Sequence, residues 1–241
     1  MKRFHSELWN TFSRKFYDDA FIAELFIFLR THSHRQDLIL EYGCGEGAVL
    51  AGLVKSGFAT GIGIDIDPEN ILTACQQPHP GLMFKTDDWR SYIHNEPADV
   101  VLCRGGSLMY GDSWNKLRPT GDQTAQSIRV MYSQVAPEGL LYLDVTPERE
   151  LAAKPVKHDF VGDHINLQGT VECDFDKKER KLTVEGVFNG KLISYQTTSH
   201  LLLKRDLEEI FLEMGVERQN FLFPSFAGEI LFEPFCVKKP T

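Results

Sequence analysis

Leu38-Ile39-Leu40-Glu41-Tyr42-Gly43-Cys44-Gly45-Glu46-Gly47-Ala48-Val49-Leu50 is the stretch that decides the fold. A short apolar run ends at three glycines spaced two apart, and a helix-forming segment, Ala48 to Lys55, follows. Such a run predicts a strand buried on both faces, as in a parallel sheet. Glycines at the turn permit positive φ and let a ligand approach the backbone with no Cβ in the way.

Downstream, strands and helices continue to alternate. Gly61 to Asp65 reads as a second strand, and Asp67-Pro68 is a helix start, with the aspartate as cap and the proline in the first turn of a helix running to Cys75. Leu82 to Phe84 and Ala98 to Cys103 read as strands three and four, Gln123 to Val135 as a helix, and Gly139 to Val145 as strand five. Upstream, Leu8, Phe12, Phe16, Ile22, Leu25, Phe26 and Leu29 recur at helical spacing, with a break at Tyr17-Asp18-Asp19. Strands alternating with helices mean crossover connections and a doubly wound, mostly parallel sheet. Leu207 to Met214 predicts a late helix stopped by Gly215, and Val216 to Phe223 and Glu229 to Val237 predict closing strands that bring the sheet to seven.

Between the two halves the pattern changes. From about His164 to Leu203 the residues favour strands, and Asn189-Gly190 is a strong hairpin signal. The expected organisation is a core of residues 1–150 and 204–241 with an antiparallel β insert at 151–203.

Composition narrows the function. Basic side chains number 26 and acidic ones 34, so the net charge is 26 − 34 = −8, which argues against a protein that works by covering nucleic-acid phosphates. Lys177-Lys178-Glu179-Arg180-Lys181 is short and falls at a hairpin turn. Cys44, Cys75, Cys103, Cys173 and Cys236 are odd in number and widely spaced, so neither a disulfide framework nor a metal site is indicated. No apolar stretch approaches the roughly 20 residues that span a bilayer. A cytoplasmic protein with no membrane partner is the expectation; the oligomeric state is not readable.

Asp65 stands 20 residues beyond Gly45, at the end of the second strand. A carboxylate there can accept hydrogen bonds from both ribose hydroxyls, so the pair predicts an adenosine-containing ligand at the carboxyl ends of the strands. Gly43-x-Gly45-x-x-Ala48 also satisfies the dinucleotide fingerprint, which keeps an NAD(P)-dependent oxidoreductase open. Glu41 and Glu46 flank the turn, and negative charge there disfavours a diphosphate and suits a ligand bearing an ammonium and a sulfonium.

Glu41-x-Gly43-x-Gly45-x-Gly47 followed by Asp65 resembles the first two signatures of class I S-adenosylmethionine-dependent methyltransferases. More narrowly, Asp88-Trp89, Cys103-Arg104-Gly105-Gly106-Ser107-Leu108, Pro137 to Leu141 and Phe235 to Lys239 resemble the glycine and glycine/sarcosine N-methyltransferase group. The resemblance implies S-adenosylmethionine as cofactor, S-adenosylhomocysteine as product, and a small-molecule methyl acceptor enclosed beneath the insert. It also implies roles. Gly43, Cys44, Gly45 and Gly47 line the methionine part, Glu41 reaches its amino group, and Asp65 holds the ribose. Ile66 packs on the adenine, with Asp88 and Trp89 at its rim. The Cys103 carbonyl lies near the amino group, and Tyr17 closes the pocket. Two departures, Gly106 where that group has asparagine and Thr146 where it has arginine, point away from glycine as the acceptor.

For the acceptor side the candidates are Arg104, Ser107, Tyr110, Trp114 and Arg149. An amine must arrive unprotonated and a hydroxyl needs a base, for which Tyr110, Asp112, His158, His164 and His200 are candidates. The expected function is N- or O-methylation of a small molecule. Methylation of protein or RNA is the alternative.

Overall fold

The computed structural model describes residues 2–33, 35–76, 79–88, 90–110, 121–152, 154–162, 164–226 and 232–241. Strand β1 (Leu38–Tyr42) lies at the centre of the larger sheet, followed by α3 (Ala48–Ser56), β2 (Thr60–Asp65), α4 (Pro68–Ala74) and β3 (Leu82–Thr86). Ahead of β1 come α1 (Lys2–Phe16) and α2 (Asp19–His32), which separate where Asp18 caps α2 by accepting from the Phe21 amide at 2.9 Å. After β3 come β4 (Ala98–Cys103), a one-turn helix α5 (Ser107–Tyr110), α6 (Gly121–Ser133) and β5 (Val135–Val145). Strand order is β3-β2-β1-β4-β5 and then the closing strands β11 (Glu233–Lys238) and β10 (Phe221–Leu222). β1 runs parallel to both its neighbours, whereas β11 is antiparallel to β5.

Ile39, Leu40, Val100, Val101 and Leu102 are wholly buried because helices cover both faces. The chain winds one way from β1 to β3 and the other way from β4 onward. That places the switch point between β1 and β4, where a crevice opens at the carboxyl ends of the strands. The doubly wound, mostly parallel seven-stranded sheet is therefore present.

A separate antiparallel sheet holds β6 (Val156–Gly162), β7 (Ile165–Asp174), β8 (Glu179–Phe188) and β9 (Lys191–His200), followed by α7 (Lys204–Glu213). Its inward residues Phe160, Leu167, Val171, Leu182, Val184 and Phe188 pack on Leu8, Phe12 and Phe16 of α1. Strand β6 extends the strand-forming region upstream of the expected start near His164. Lys157, His158 and Asp159 dilute its apolar signal, because its other face meets water. The Val216–Phe223 strand shrinks to β10, since Arg218–Asn220 forms a 3-10 turn instead. Among the described residues no helix is long and apolar enough to cross a membrane, and no cluster of three or more His, Cys, Asp or Glu could hold a metal ion.

Candidate active site

The turn after β1 holds Gly43, Gly45 and Gly47 at φ 70°, 54° and 74°, the left-handed region that favours glycine. A Cβ on Gly43 would also sit 2.4 Å from the Ser107 hydroxyl oxygen, so the turn and the start of α5 are in contact. The loop amides are spent internally. Gly43 and Cys44 donate to the Ile64 carbonyl, Gly47 donates to the Cys44 carbonyl, and Gly45 donates to Asp65 Oδ2 at 2.8 Å. The second oxygen of Asp65 accepts from the Asp67 amide at 2.9 Å. Burial raises the Asp65 pKa, with these two backbone bonds acting against the rise. Oδ1 also receives Asn70 Nδ2 at 3.5 Å, so the lone pair left for a hydroxyl is on Oδ2.

The flanking charges are less bare than the sequence implied. Glu46 accepts from Arg14 at 2.5 Å and from Asn10 at 2.9 Å, both on α1. Glu41, wholly buried, is paired with Arg104: Nε and Nη2 approach the single oxygen Oε1 at 2.8 and 2.6 Å. Repulsion of a diphosphate by two uncompensated carboxylates therefore does not hold, because each has an arginine.

The Glu41–Arg104 pair is incomplete. Glu41 Oε2 and Arg104 Nη1 are buried with no hydrogen-bond partner. Burial raises the Glu41 pKa, opposed by Arg104 and, more weakly, by the Leu50 amide. The Tyr17 ring lies over the guanidinium, 4.4 Å from its centroid to Cζ, and burial followed by Asp144 pushes its phenol up. Asp144, at the end of β5, accepts from the Gly105 amide at 2.6 Å; burial lifts its pKa to about 6 against the pull of Arg104.

Other predicted positions fall around this centre. Ile66 is half-buried just beyond β2. Cys44 and Cys103 are buried, and burial pushes both thiols up, which makes them inert. Asp88 is engaged by Arg90 in a fork, at 2.8 and 2.7 Å, which lowers its pKa and leaves it already partnered. Ser107 does not reach outward; it abuts Gly43 and donates to the Arg104 carbonyl. Arg104, expected on the acceptor side, belongs to the centre with Glu41. Trp89, Asp112 and Trp114 lie outside the described residues.

Of the residues expected on the acceptor side, Tyr110 and His158 come together through two residues that sequence reasoning passed over. Arg180 donates to Tyr110 Oη at 3.0 Å and forks onto Glu150, whose Oε1 lies 3.2 Å from His158 Nε2. Arg180 had been read as part of a hairpin turn; it sits on β8, pointing inward. His164 is an exposed residue with φ 63° at the β6–β7 turn, and Arg149 is exposed in a 3-10 turn, so neither is drawn into this cluster. His200 ends β9, opposite Glu179.

No protein-family profile and no curated protein matches the chain in sequence. Solved structures do match in shape. The sugar N-methyltransferase KedS8 of Streptoalloteichus superposes with a TM-score of 0.70 at 16% identity, over 96% of this chain and 92% of that one. An S-adenosylmethionine-dependent methyltransferase of Clostridium acetobutylicum gives 0.70 at 14% identity, over 97% and 100%. The amino pentose methyltransferase CalS10 of Micromonospora echinaspora, solved with S-adenosylmethionine bound, gives 0.70 at 17% identity, over 95% of each chain. The chain thus has the Rossmann-like fold of these methyltransferases, insert included.

Proposed function

We propose that the protein is an S-adenosylmethionine-dependent methyltransferase acting on a small-molecule amine or hydroxyl. The observation that carries this reading is the pair of unpartnered atoms at the switch point, Glu41 Oε2 and Arg104 Nη1. Leaving such groups unsatisfied costs about 1–3 kcal/mol each. An α-amino acid zwitterion satisfies both, its ammonium on the carboxylate and its carboxylate on the guanidinium. S-adenosylmethionine carries that group; a nicotinamide dinucleotide does not. The amides of Gly43, Cys44, Gly45 and Gly47 are already spent, which leaves the dinucleotide reading fewer donors at the turn.

In this reading Asp65 holds the ribose, Ile66 packs on the adenine, and the three glycines admit the methionine chain close to the backbone. Arg104 serves the cofactor and not the acceptor. Tyr17 covers the guanidinium, so its ring swings aside when ligand arrives. The cofactor supplies an electrophilic methyl group on sulfur. The chain's part is to align the acceptor and exclude water, which α1 and the insert do by packing against each other. Tyr110 and His158 stand on the acceptor side, where an imidazole takes the proton an amine or hydroxyl must lose.

The narrower likeness to glycine and sarcosine N-methyltransferases loses its carboxylate clamp here. The Thr146 hydroxyl is buried on the Met109 sulfur at 3.3 Å, and Arg104 is committed to Glu41. Amino sugars, named for two of the structurally similar enzymes, are the first acceptors to try. The net charge of −8 disfavours RNA.

Calorimetry decides the cofactor. S-adenosylhomocysteine binds and NADH does not. 5′-Methylthioadenosine, which lacks the amino acid, binds at least about 100-fold more weakly, the loss expected for two charge-assisted contacts. Asp65→Ala weakens both adenosine ligands. Saturable NADH binding with no S-adenosylhomocysteine binding refutes the proposal.

A further inference from the structure

Resting on the methyltransferase reading above, we propose that Glu150 and Arg180 are positioning residues of the acceptor side. They fix the hydroxyl of Tyr110 and make closure of the insert respond to the cofactor loop.

Three elements distant in sequence meet at one guanidinium. Arg180, on β8, sends Nε to Glu150 Oε2 at 2.7 Å, Nη2 to Glu150 Oε1 at 3.0 Å and Nη1 to Tyr110 Oη at 3.0 Å. Glu150 belongs to the 3-10 turn after β5, and Tyr110 ends α5, so both are core groups holding an insert residue. His158 of β6 lies against the same carboxylate, and Ser199 of β9 donates to the Arg180 carbonyl at 3.3 Å. Each of the three guanidinium nitrogens makes one hydrogen bond, and a planar fork fixes rotation as well as distance.

From Tyr110 and Arg180 the contacts run toward the turn after β1 by three routes. Its amide donates to the Gly106 carbonyl at 3.1 Å, and Ser107, at the other end of the same turn of helix, abuts Gly43. Phe232 bridges the second: its ring lies 5.6 Å from Arg180 Cζ and touches Gly106 so closely that a Cβ there would be 2.6 Å away. Trp9 makes the third, edge-on to Tyr110 with centroids 5.6 Å apart, while the adjacent Asn10 donates to Glu46. A ligand that shifts the loop therefore moves Tyr110, and Tyr110 carries Arg180 and the insert with it. A buried ion pair is poor evidence for stability, since an apolar pair of similar volume does as well. Fixing one geometry between insert and core is what the fork provides.

Hydrogen exchange, read with saturating S-adenosylhomocysteine, tests this. In the wild-type protein the ligand slows exchange in segments 104–110 and 179–200 together. In Arg180→Met the first segment still gains protection, the second does not, and ligand affinity is unchanged. Because Arg180→Met strands a buried carboxylate, the double variant Glu150→Leu with Arg180→Met gives the same reading with both charges removed, and Tyr110→Phe uncouples the segments while keeping the ring. Protection of 179–200 that survives in the double variant or in Tyr110→Phe overturns the proposal, as does its absence in the wild type with ligand bound. If S-adenosylhomocysteine does not bind the wild type at all, the cofactor reading falls and this one with it.

Discussion

The molecule contains two buried arginine–glutamate pairs built to different degrees of completion. Arg180 meets Glu150 as a full fork and spends its third donor on Tyr110. Arg104 meets Glu41 through one oxygen, leaving Oε2 and Nη1 unpartnered. The protonation energetics follow the geometry. Burial raises both carboxyls, yet His158 and Arg180 together bring Glu150 below the ordinary range, whereas Arg104 fails to do so for Glu41. The complete pair joins insert to core. The incomplete one lies at the switch point, where a crevice opens at the carboxyl ends of the strands.

Lysine substitution breaks the comparison most sharply. Arg180→Lys keeps one of three charged hydrogen bonds and should cost about 3–6 kcal/mol, at about 1.5–3 for each bond lost. Arg104→Lys loses one of two, so the same reckoning gives about 1.5–3 kcal/mol, and it also removes an unsatisfied donor. Urea denaturation of both variants measures the gap; equal losses would mean the pairs do not differ in kind.

Asp144 sharpens the contrast beside Arg104. Its pKa in the folded chain is about 6, above the ordinary aspartate value, so between pH 4 and 6 the folded state binds a proton that the unfolded chain has released. Stability therefore falls as pH rises through that window, by no more than about 3 kcal/mol, and levels off above it. Asp144→Asn should flatten this slope in melts taken across the window. Glu150 acts oppositely: its contribution is present at neutral pH and is lost on acidification below the ordinary glutamate range.

The smallest effect belongs to the outer face of the insert. Val161, Asn166, Val187 and Leu192 lie in one cross-strand row, and Leu192 is 85% exposed. Leu192→Ser should shift the melting midpoint by no more than the equivalent of about 0.5 kcal/mol. A larger loss would show that this row is covered in solution.

What the sequence discloses divides along the same line. The proposed cofactor end is written locally: Glu41 to Gly47 is continuous, Asp65 follows at the end of the next strand, and backbone geometry does the rest. The proposed acceptor side is assembled from Tyr110, Glu150, His158 and Arg180, on four separate elements, and no spacing rule links them. Arg180 looked like part of a charged hairpin because Lys177, Lys178 and Lys181 surround it. Only the strand's alternation, which turns Arg180 inward beside Leu182 and Val184, sets it apart. The Glu41–Arg104 contact was hidden for the same reason, as one residue stands on β1 and the other just past the neighbouring β4, 63 positions apart.

Helix α1 has a consequence for how the chain comes to be folded. Its apolar side, Leu8, Phe12 and Phe16, is covered by Phe160, Leu167, Leu182 and Phe188. During synthesis that side leaves the ribosome well before the strands that cover it and waits, uncovered, until they follow. Such long-range closure is slow, and greasy surface held open in the meantime invites self-association. A nascent chain halted before the last hairpin should therefore need a chaperone that the finished one does not.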